Sequence, residues 1–210
     1  MARKILIADD HVAVRRGVEA LLRDEFPRCE FDLASSQPEL NEKLQSAKWD
    51  LVLLDLSMPG RSTLECVREI KDRTPSTAVL IYTGHPEDQL GMRALRAGAD
   101  GYVTKDASAE ELLRAVHRVL KGKRYISDTM AERMADMISH PVSGAAHDLL
   151  SDREYQILKL LGAGVSPSAI ALDLHLSIKT VSTYRKRILE KLQLHSTAEL
   201  IRYAVEHDIR

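Results

Sequence analysis

Short apolar runs alternate with longer amphipathic stretches through residues 1–121. A short run without polar positions is typical of a strand buried on both faces of a parallel sheet, whereas the longer stretches have helical periodicity. The pattern predicts strands near 4–9, 30–34, 51–55, 78–83 and 100–104. It predicts helices near 12–25, 37–46, 62–72, 87–97 and 108–121. We therefore expect a doubly wound, five-stranded parallel α/β sheet, with the alternating run Phe31-Asp32-Leu33 at an edge.

The pattern after residue 148 is helical throughout. Four serines stand where N-caps would begin helices, and the first has Glu154 at the capping-box position. The predicted helices cover 151–163, a short stretch from Ser166-Pro167, 177–192 and 196–207. Two helices joined by a tight turn, the second strongly basic, are typical of a helix-turn-helix. We expect an all-α, four-helix domain of this kind.

The stretch between these regions follows neither pattern. One more helix is predicted over 128–139, with Asp128 as a possible N-cap, and 140–148 contains Pro, Gly and Ser without periodicity, as in a flexible linker. The predicted organisation is a domain over 1–121, a linker with one helix over 122–148, and a domain over 149–210.

Composition narrows the class of protein. Apolar residues make up 44% of the 210 positions, enough for real cores, and no apolar stretch has the ~20 residues that a membrane helix needs. Because the chain enters a strand directly after Met-Ala-Arg-Lys, we expect no signal peptide and no membrane partner. Cys29 and Cys66 lie far apart in apolar contexts, which favours free thiols in a reducing cytoplasm.

Charge is distributed unevenly, although the net charge is only −1. Residues 177–191 contain five basic side chains and one acidic side chain, a local charge of +4. Such a segment suits contact with a polyanion such as DNA. Charge alone does not distinguish that contact from a solvated helix face.

Polar residues follow four of the predicted strands at the point where each ends. Asp9 and Asp10 follow the first strand, Asp55 the third, Thr83 the fourth and Lys105 the fifth. Ligands of open parallel α/β sheets bind beyond the carboxyl ends of the strands. The sequence therefore predicts a site for a divalent cation and a phosphoryl group at this edge.

The residue types at this edge suit phosphoryl transfer. A carboxylate such as Asp55 is a competent nucleophile towards phosphorus. Crowding three carboxylates raises their pKa values unless a cation such as Mg²⁺ offsets the charge. Lys105 supplies a compact positive charge for the phosphoryl oxygens, and Thr83 supplies a hydroxyl that can bond one of them.

These segments resemble the receiver domain of two-component response regulators over about residues 3–121. The resemblance implies a flavodoxin-like fold, Mg²⁺ as cofactor and a sensor histidine kinase as phosphoryl donor. It implies Asp9, Asp10, Asp55 and the Ser57 carbonyl at the metal, Asp55 as phosphoacceptor, Thr83 and Tyr102 as switch residues, and Lys105 as the essential lysine. A packed surface tyrosine is the alternative for Tyr102. Ser57 and His85 occupy positions that tune phosphoryl lifetime, although a solvent-facing loop histidine is the plainer interpretation of His85.

The third helix of the C-terminal region separates into two predicted faces. The apolar residues expected in the core are Ile178, Val181, Ile188, Leu189 and Leu192. The opposite face is polar and basic, and Ser182, Thr183 and Lys186 share one patch on it. Base readout requires such side chains in the major groove, with basic groups on the phosphates.

Residues 150–192 resemble the LuxR-type output domain, so the whole chain resembles a response regulator of the NarL/FixJ family. The resemblance implies base contacts by Ser182, Thr183 and Lys186, and phosphate contacts by Lys179, Thr180, Arg185 and Arg187. Tyr184 stands where the family more often has His, which leaves the DNA sequence preference open.

The expected protein is a phosphorylation-switched transcription factor rather than an enzyme. It would bind DNA as a homodimer when phosphorylated, paired through the final helix, with RNA polymerase as a further candidate partner. One alternative is a phosphohydrolase of the haloacid dehalogenase type, which needs a second acid two residues after the nucleophile, where this chain has Ser57. The other is a constitutive DNA-binding protein, against which the complete set of acids, Thr83 and Lys105 argues.

Overall fold

The computed structural model describes residues 2–58, 63–139, 146–174 and 176–209. The chain divides into two compact units, Met1–Ala135 and Asp136–Arg210. Most of the predicted linker 140–148 lies outside the described residues. No helix within the described ranges is both long enough and apolar enough to span a bilayer.

The first unit is built on a five-stranded sheet in the order β2-β1-β3-β4-β5, with every neighbouring pair parallel. The strands are β1 Lys4–Ala8, β2 Glu30–Ala34, β3 Leu51–Leu54, β4 Ala78–Thr83 and β5 Gly101–Thr104. The predicted sheet is confirmed, and β2 lies at an edge as its alternating pattern indicated.

Helices cover both faces of this sheet. They are α1 Val12–Glu25, α2 Gln37–Ser46, α3 Thr63–Arg73, α4 Glu87–Arg96 and α5 Ala109–Val119. Successive residues of a strand point to opposite faces. Leu6 and Ala8 of β1 therefore enter the core beneath α2, α3 and α4, while Ile5 and Ile7 pack with α1 and α5. Both cysteines are free; Cys66 is buried, and burial raises the pKa of its thiol to about 11.

The register of the sheet aligns the ends of its central strands. Ala8, the last residue of β1, pairs with Leu54, the last residue of β3. The backbone N–H of Asp55 continues this pairing and donates to the carbonyl of Ala8 over 2.9 Å. Because the chain leaves both strands at the same level, Asp9 and Asp55 are brought together beyond the sheet.

A sixth helix, α6 Asp128–Ser139, follows the first five. The prediction of Asp128 as its N-cap is wrong, since the hydroxyl of Ser127 accepts the hydrogen bond from the backbone N–H of Met130 over 3.0 Å. The segment before α6 is joined to the sheet, because the backbone N–H of Tyr125 donates to the carbonyl of Asp100 over 2.8 Å. The N-terminal part of α6 thus begins from a fixed position on the first unit.

The second unit is all-helical, as predicted. A short 3₁₀ helix over Ala146–Leu149 precedes α7 Asp152–Gly162, α8 Pro167–Asp173, α9 Ile178–Leu192 and α10 Thr197–Glu206. The four predicted N-cap serines each accept a hydrogen bond from the first turn, and Ser151 forms the full capping box with Glu154. Gly162 permits α7 to approach α10, since a Cβ at this position would lie 2.5 Å from that of Ala204.

Two predicted core residues of α9 are not buried. Val181, Ile188 and Leu192 are buried as expected, but Leu189 is only partly buried and Ile178 is 56% exposed. At 3.6 residues per turn, the three buried residues form one stripe, and Ile178 lies roughly 60° away from its centre. Ile178 therefore contributes little to the packing of α9.

Candidate functional site

The residues at the strand ends form one buried cluster. Asp55 is only 1% exposed and Asp9 is also buried, while the side chain of Lys105 is largely covered. The Lys105 Nζ lies 2.6 Å from Asp9 Oδ2 and 2.8 Å from Asp55 Oδ2. The structure thus brings together the carboxylates and the lysine that the strand-end pattern placed at one edge.

Electrostatics favour the charged forms of Asp55 and Lys105. Burial by itself raises the pKa of Asp55, but hydrogen bonds from Lys105, the Ser57 N–H and Thr83 more than offset burial, so the pKa lies below its usual value. Burial also disfavours the charged form of Lys105 and so lowers its pKa. The bonds of Lys105 to Asp55 and Asp9 outweigh burial, and its pKa lies above the usual value. Asp55 is therefore an ionised carboxylate, as a nucleophile must be.

Asp10 and His11 extend the cluster towards solvent. The His11 Nδ1 lies 2.7 Å from Asp10 Oδ1, and one potential ligand atom from each of Asp9, Asp10, His11 and Asp55 lies within 4.8 Å of the others. Sequence reasoning missed His11, although its position directly after two acids was a signal.

Asp9 Oδ2 and Asp10 Oδ1 are buried oxygens whose charge is only partly compensated. Lys105 Nζ lies 2.6 Å from Asp9 Oδ2 but is shared with Asp55, and His11 Nδ1 lies 2.7 Å from Asp10 Oδ1. Buried carboxylate oxygens of this kind are costly unless a hydrogen bond or a cation compensates them. Oxygen ligands beside an open face suit Mg²⁺, so the residues present fit the predicted cation.

Thr83 and Tyr102 meet at the loop that follows β4. Thr83 is fully buried, and its hydroxyl accepts a hydrogen bond of 3.4 Å from the backbone N–H of His85. The Tyr102 hydroxyl donates to the backbone carbonyl of His85 over 2.9 Å. Tyr102 is 2% exposed, so the alternative of a surface tyrosine is wrong, while His85 is partly buried in the loop.

Ser57 lies on the loop directly after the acidic cluster. Its side chain is exposed, and its backbone N–H donates to Asp55 Oδ1 over 3.1 Å. This bond orients one carboxylate oxygen of Asp55 while Lys105 binds the other. The predicted metal-binding role of the Ser57 carbonyl stays a prediction.

The predicted DNA-contacting residues lie along α9 with graded exposure. Lys179, Thr183, Lys186 and Arg187 are exposed, while Thr180, Ser182 and Arg185 are partly buried. The Arg187 guanidinium lies 6.0 Å from the centre of the Tyr184 ring, and Lys186 Nζ lies 3.7 Å from the Glu190 carboxylate. These are surface contacts that a polyanion could replace, because exposed ion pairs contribute little to stability.

An ion pair between a buried glutamate and an exposed lysine joins α9 to α7. Glu154 is 3% exposed, and its carboxylate lies 2.7 Å from Lys191 Nζ. Lys191 was counted among the basic residues of the segment, and its exposed position in the helical pattern gave no indication of this partner. This ion pair fixes the last turn of α9 relative to the capping box that begins α7.

Comparisons with known proteins place both domains in families. Residues 5–117 match the response regulator receiver domain, and residues 148–204 match the bacterial regulatory proteins of the luxR family. The chain therefore belongs to the response regulators of the NarL/FixJ family, with a receiver domain followed by a LuxR-type domain. The family prediction is confirmed.

Several relatives share this organisation over nearly their whole length. The response regulator GacA of Pseudomonas syringae pv. syringae is 40% identical over 97% of this chain and 96% of its own. The response regulator UvrY of Escherichia coli K12 is 34% identical over 98% and 94%. The structure of RcsB from Salmonella enterica serovar Typhimurium bound to promoter rprA with the phosphomimetic BeF3⁻ has the same fold, with a TM-score of 0.68, 24% identity, and coverage of 97% and 98%.

Proposed function

We propose that this response regulator is a transcription factor that is switched by phosphorylation of Asp55. A sensor histidine kinase donates the phosphoryl group, and the C-terminal domain binds DNA in the cytoplasm. The observation that carries the proposal is the contact of Lys105 with both Asp9 and Asp55 at an acidic edge. It keeps a buried aspartate ionised beside oxygens suited to a cation, which is the arrangement that phosphoryl transfer needs.

The roles of the residues follow from their chemistry. A carboxylate oxygen of Asp55 forms the new bond to phosphorus as the phosphorus–nitrogen bond of the donor phosphohistidine breaks. Lys105 then binds an oxygen of the transferred group. Asp9, Asp10, Asp55 and the Ser57 carbonyl would hold Mg²⁺, which supplies charge neutralisation for the phosphoryl oxygens. The alternative of a phosphohydrolase is disfavoured, because Ser57 cannot serve as the second acid.

A continuous set of contacts leads from this site to the start of α6. The Thr83 hydroxyl donates to Asp55 and accepts from the His85 N–H, and it would redirect its hydrogen to a phosphoryl oxygen, which would shift the loop that leads into α4. The first residue of α4, Glu87, accepts a hydrogen bond from the Ser127 hydroxyl, the N-cap of α6. Burial raises the pKa of Glu87, which reflects its enclosed position.

Side-chain packing also joins α4 to α6. Met130 on α6 is buried against Gly91 on α4, where a Cβ would lie 2.0 Å from the Met130 Cε. Because side chains and caps link α4 to α6 within the first unit, a shift of α4 would be passed to the segment that leads to the second domain. This link gives the switch a physical route from Asp55.

The DNA-binding half of the proposal rests on α9 and α10. Ser182, Thr183 and Lys186 would contact bases, and Lys179, Thr180, Arg185 and Arg187 would contact phosphates. Homodimers would pair through α10, where Ile201 and Val205 are exposed while Leu200 and Ala204 are buried. Half-sites about ten base pairs apart would follow from such pairing. RNA polymerase is a further proposed partner.

Binding of selected DNA before and after phosphorylation tests this function. Duplexes are first selected from a random-sequence library, and binding and dimerisation are measured with and without acetyl phosphate and Mg²⁺. We expect the wild type to take up acid-labile phosphate, to dimerise and to bind more tightly, and Asp55→Asn to do none of these. Asp24→Asn, an exposed aspartate on α1, is the matched control. Equal DNA binding by wild type and Asp55→Asn under all conditions would instead support the constitutive alternative.

A further inference from the structure

Ile178 is an apolar residue that is 56% exposed at the start of α9. It is the first residue of α9, directly after the N-cap Ser177. The core beneath α9 is closed by Val181, Ile188 and Leu192, so Ile178 contributes little to the packing of the domain. Single exposed apolar side chains are common, so the position of Ile178 at the start of α9, rather than its exposure alone, bears on its role.

The surroundings of Ile178 identify the chemistry of a partner. The N-terminal residues of a recognition helix are the ones that reach base edges in the major groove. Ile178 lies one turn before Ser182 on the same stripe of the helix, and Lys179 and Arg185 flank that stripe. A partner that suits both an aliphatic side chain and these cations is a polyanion with apolar groups in its grooves. The thymine C5-methyl group is the apolar group that the major groove of DNA presents.

The hydrogen bonds of α9 favour apolar readout at this end. The Thr183 hydroxyl donates to the carbonyl of Lys179 over 3.0 Å, so its hydrogen is already used within the helix. The hydroxyls of Ser177 and Thr180 bond to each other over 2.8 Å. These groups retain lone pairs that can accept, but they offer fewer free donors to a base than the residue types indicate. Base discrimination at the start of α9 therefore depends more on apolar contact.

We propose that Ile178 is a specificity-determining residue that contacts the C5-methyl group of a thymine in each half-site. The inference rests on the proposed DNA-binding function and adds to it a residue expected to face the core. It requires the protein to prefer thymine over uracil at one defined position of each half-site, because these bases differ there only by the methyl group.

The test uses the full-length phosphorylated protein and chemically defined DNA. A tight-binding duplex is selected from a random-sequence library and resynthesised with uracil replacing one thymine at a time. Burial of one methyl group corresponds to about a fourfold change in the dissociation constant. We expect wild type to lose about fourfold at one thymine per half-site, Ile178→Ala to bind both duplexes equally, and Ile178→Val to keep part of the preference.

Leu172 provides the matched control, since it is 79% exposed on α8, the helix that crosses the backbone rather than reading bases. Leu172→Ala should leave the thymine-to-uracil ratio unchanged whatever it does to affinity. A scan in which no thymine responds, or an Ile178→Ala variant that keeps the full ratio, would overturn the inference while leaving DNA binding intact. Failure to select any duplex would overturn the proposed function itself, and this inference with it.

Discussion

Both domains bury carboxylates beside a lysine, but they differ in how many carboxylates share that cation. In the C-terminal domain, Glu154 accepts hydrogen bonds from the Ser151 N–H and from Lys191, and closes a capping box. In the receiver, Asp9 and Asp55 share the single cation Lys105, and Asp10 adds a third carboxylate beside them. A fully bonded carboxylate stabilises one fold, whereas an incompletely bonded cluster is poised to gain a ligand.

The domains also differ in how each collects its functional groups. The receiver site draws residues from the ends of separate strands, between positions 9 and 105 of the chain. The proposed DNA-reading surface lies on the single helix α9. Loss of one residue should therefore damage the receiver site severely, while the helix surface should lose its function in small steps.

Removal of the Lys105 ammonium group, which Asp9 and Asp55 share, should have the largest effect on stability. Lys105→Ala leaves Asp9 and Asp55 facing each other, so we expect the receiver to lose about 2–3 kcal/mol of unfolding free energy at neutral pH. Mg²⁺ should restore more stability to this variant than to wild type. Chemical denaturation with and without Mg²⁺ measures both effects. Lys43→Ala, which removes the more exposed pair with Asp32, should cost less than about 1 kcal/mol and gain nothing from Mg²⁺.

Neutralisation of the Glu154 carboxylate should affect only the C-terminal domain. Burial raises the pKa of Glu154, but bonds from Lys191 and Ser151 more than offset it, and the net pKa lies below 4.5. A lowered pKa stabilises the fold above the unfolded value and loses that contribution as pH falls through the folded value. Glu154→Gln should therefore cost about 2 kcal/mol at pH 7 and progressively less in acid.

Calorimetry of the C-terminal transition across this pH range measures the change. Glu190→Gln is the control, because Glu190 is exposed on the same domain and pairs only loosely with Lys186. A constant difference between wild type and Glu154→Gln at every pH would show that the charge of Glu154 is not the source of the effect.

Asp10 separates cation binding from nucleophilic chemistry at the receiver site. Asp10→Asn removes one charged oxygen ligand while Lys105 still contacts Asp9 and Asp55. We expect Mg²⁺ affinity to fall roughly tenfold or more, because a carboxylate binds this cation better than an amide. Calorimetric titration with Mg²⁺ measures the affinity, and Asp24→Asn should match wild type. Unchanged affinity in Asp10→Asn would remove this residue from the metal site.

Single substitutions on α9 should have smaller and separable effects. Arg187→Ala should weaken binding about fivefold on all DNA sequences and reduce the salt slope by about one, as expected for one lost phosphate contact. Lys186→Ala should weaken binding mainly to preferred sequences and relax the base preference. Fluorescence anisotropy over a salt series distinguishes the two. The reverse pattern would exchange the roles assigned to these residues.

The contact between α4 and α6 should give the smallest effect. Ser127→Ala removes an N-cap and the bond to Glu87, at a cost of about 1 kcal/mol to the first turn of α6. Phosphate incorporation should remain normal, but the change in amide hydrogen exchange over 126–133 on phosphorylation should be reduced. Thr129→Ala, on the exposed side of α6, should behave like wild type. A full exchange response in Ser127→Ala would exclude this contact from the switch.

Local pattern was sufficient to predict most elements of both domains. Apolar runs and helical periodicity depend on neighbouring residues, so the five strands and the serine-capped helices were predictable in place. The strand-end residues followed from the same pattern, since parallel strands present their carboxyl ends at one edge. The Asp128 cap was wrong because Ser127 and Asp128 are both acceptable N-caps, and only the packing of α6 against α4 selects Ser127.

By itself, the sequence determined the kind of protein and the residues that its receiver offers for phosphoryl chemistry. Tertiary structure alone decided that Lys105 contacts both Asp9 and Asp55, because the registers of β1 with β3, β3 with β4 and β4 with β5 together set those distances. It also decided that Lys191 pairs with Glu154 and that Ile178 faces solvent. These last features depend on which surfaces neighbouring helices cover, and the periodicity of a single helix carries no information about its neighbours.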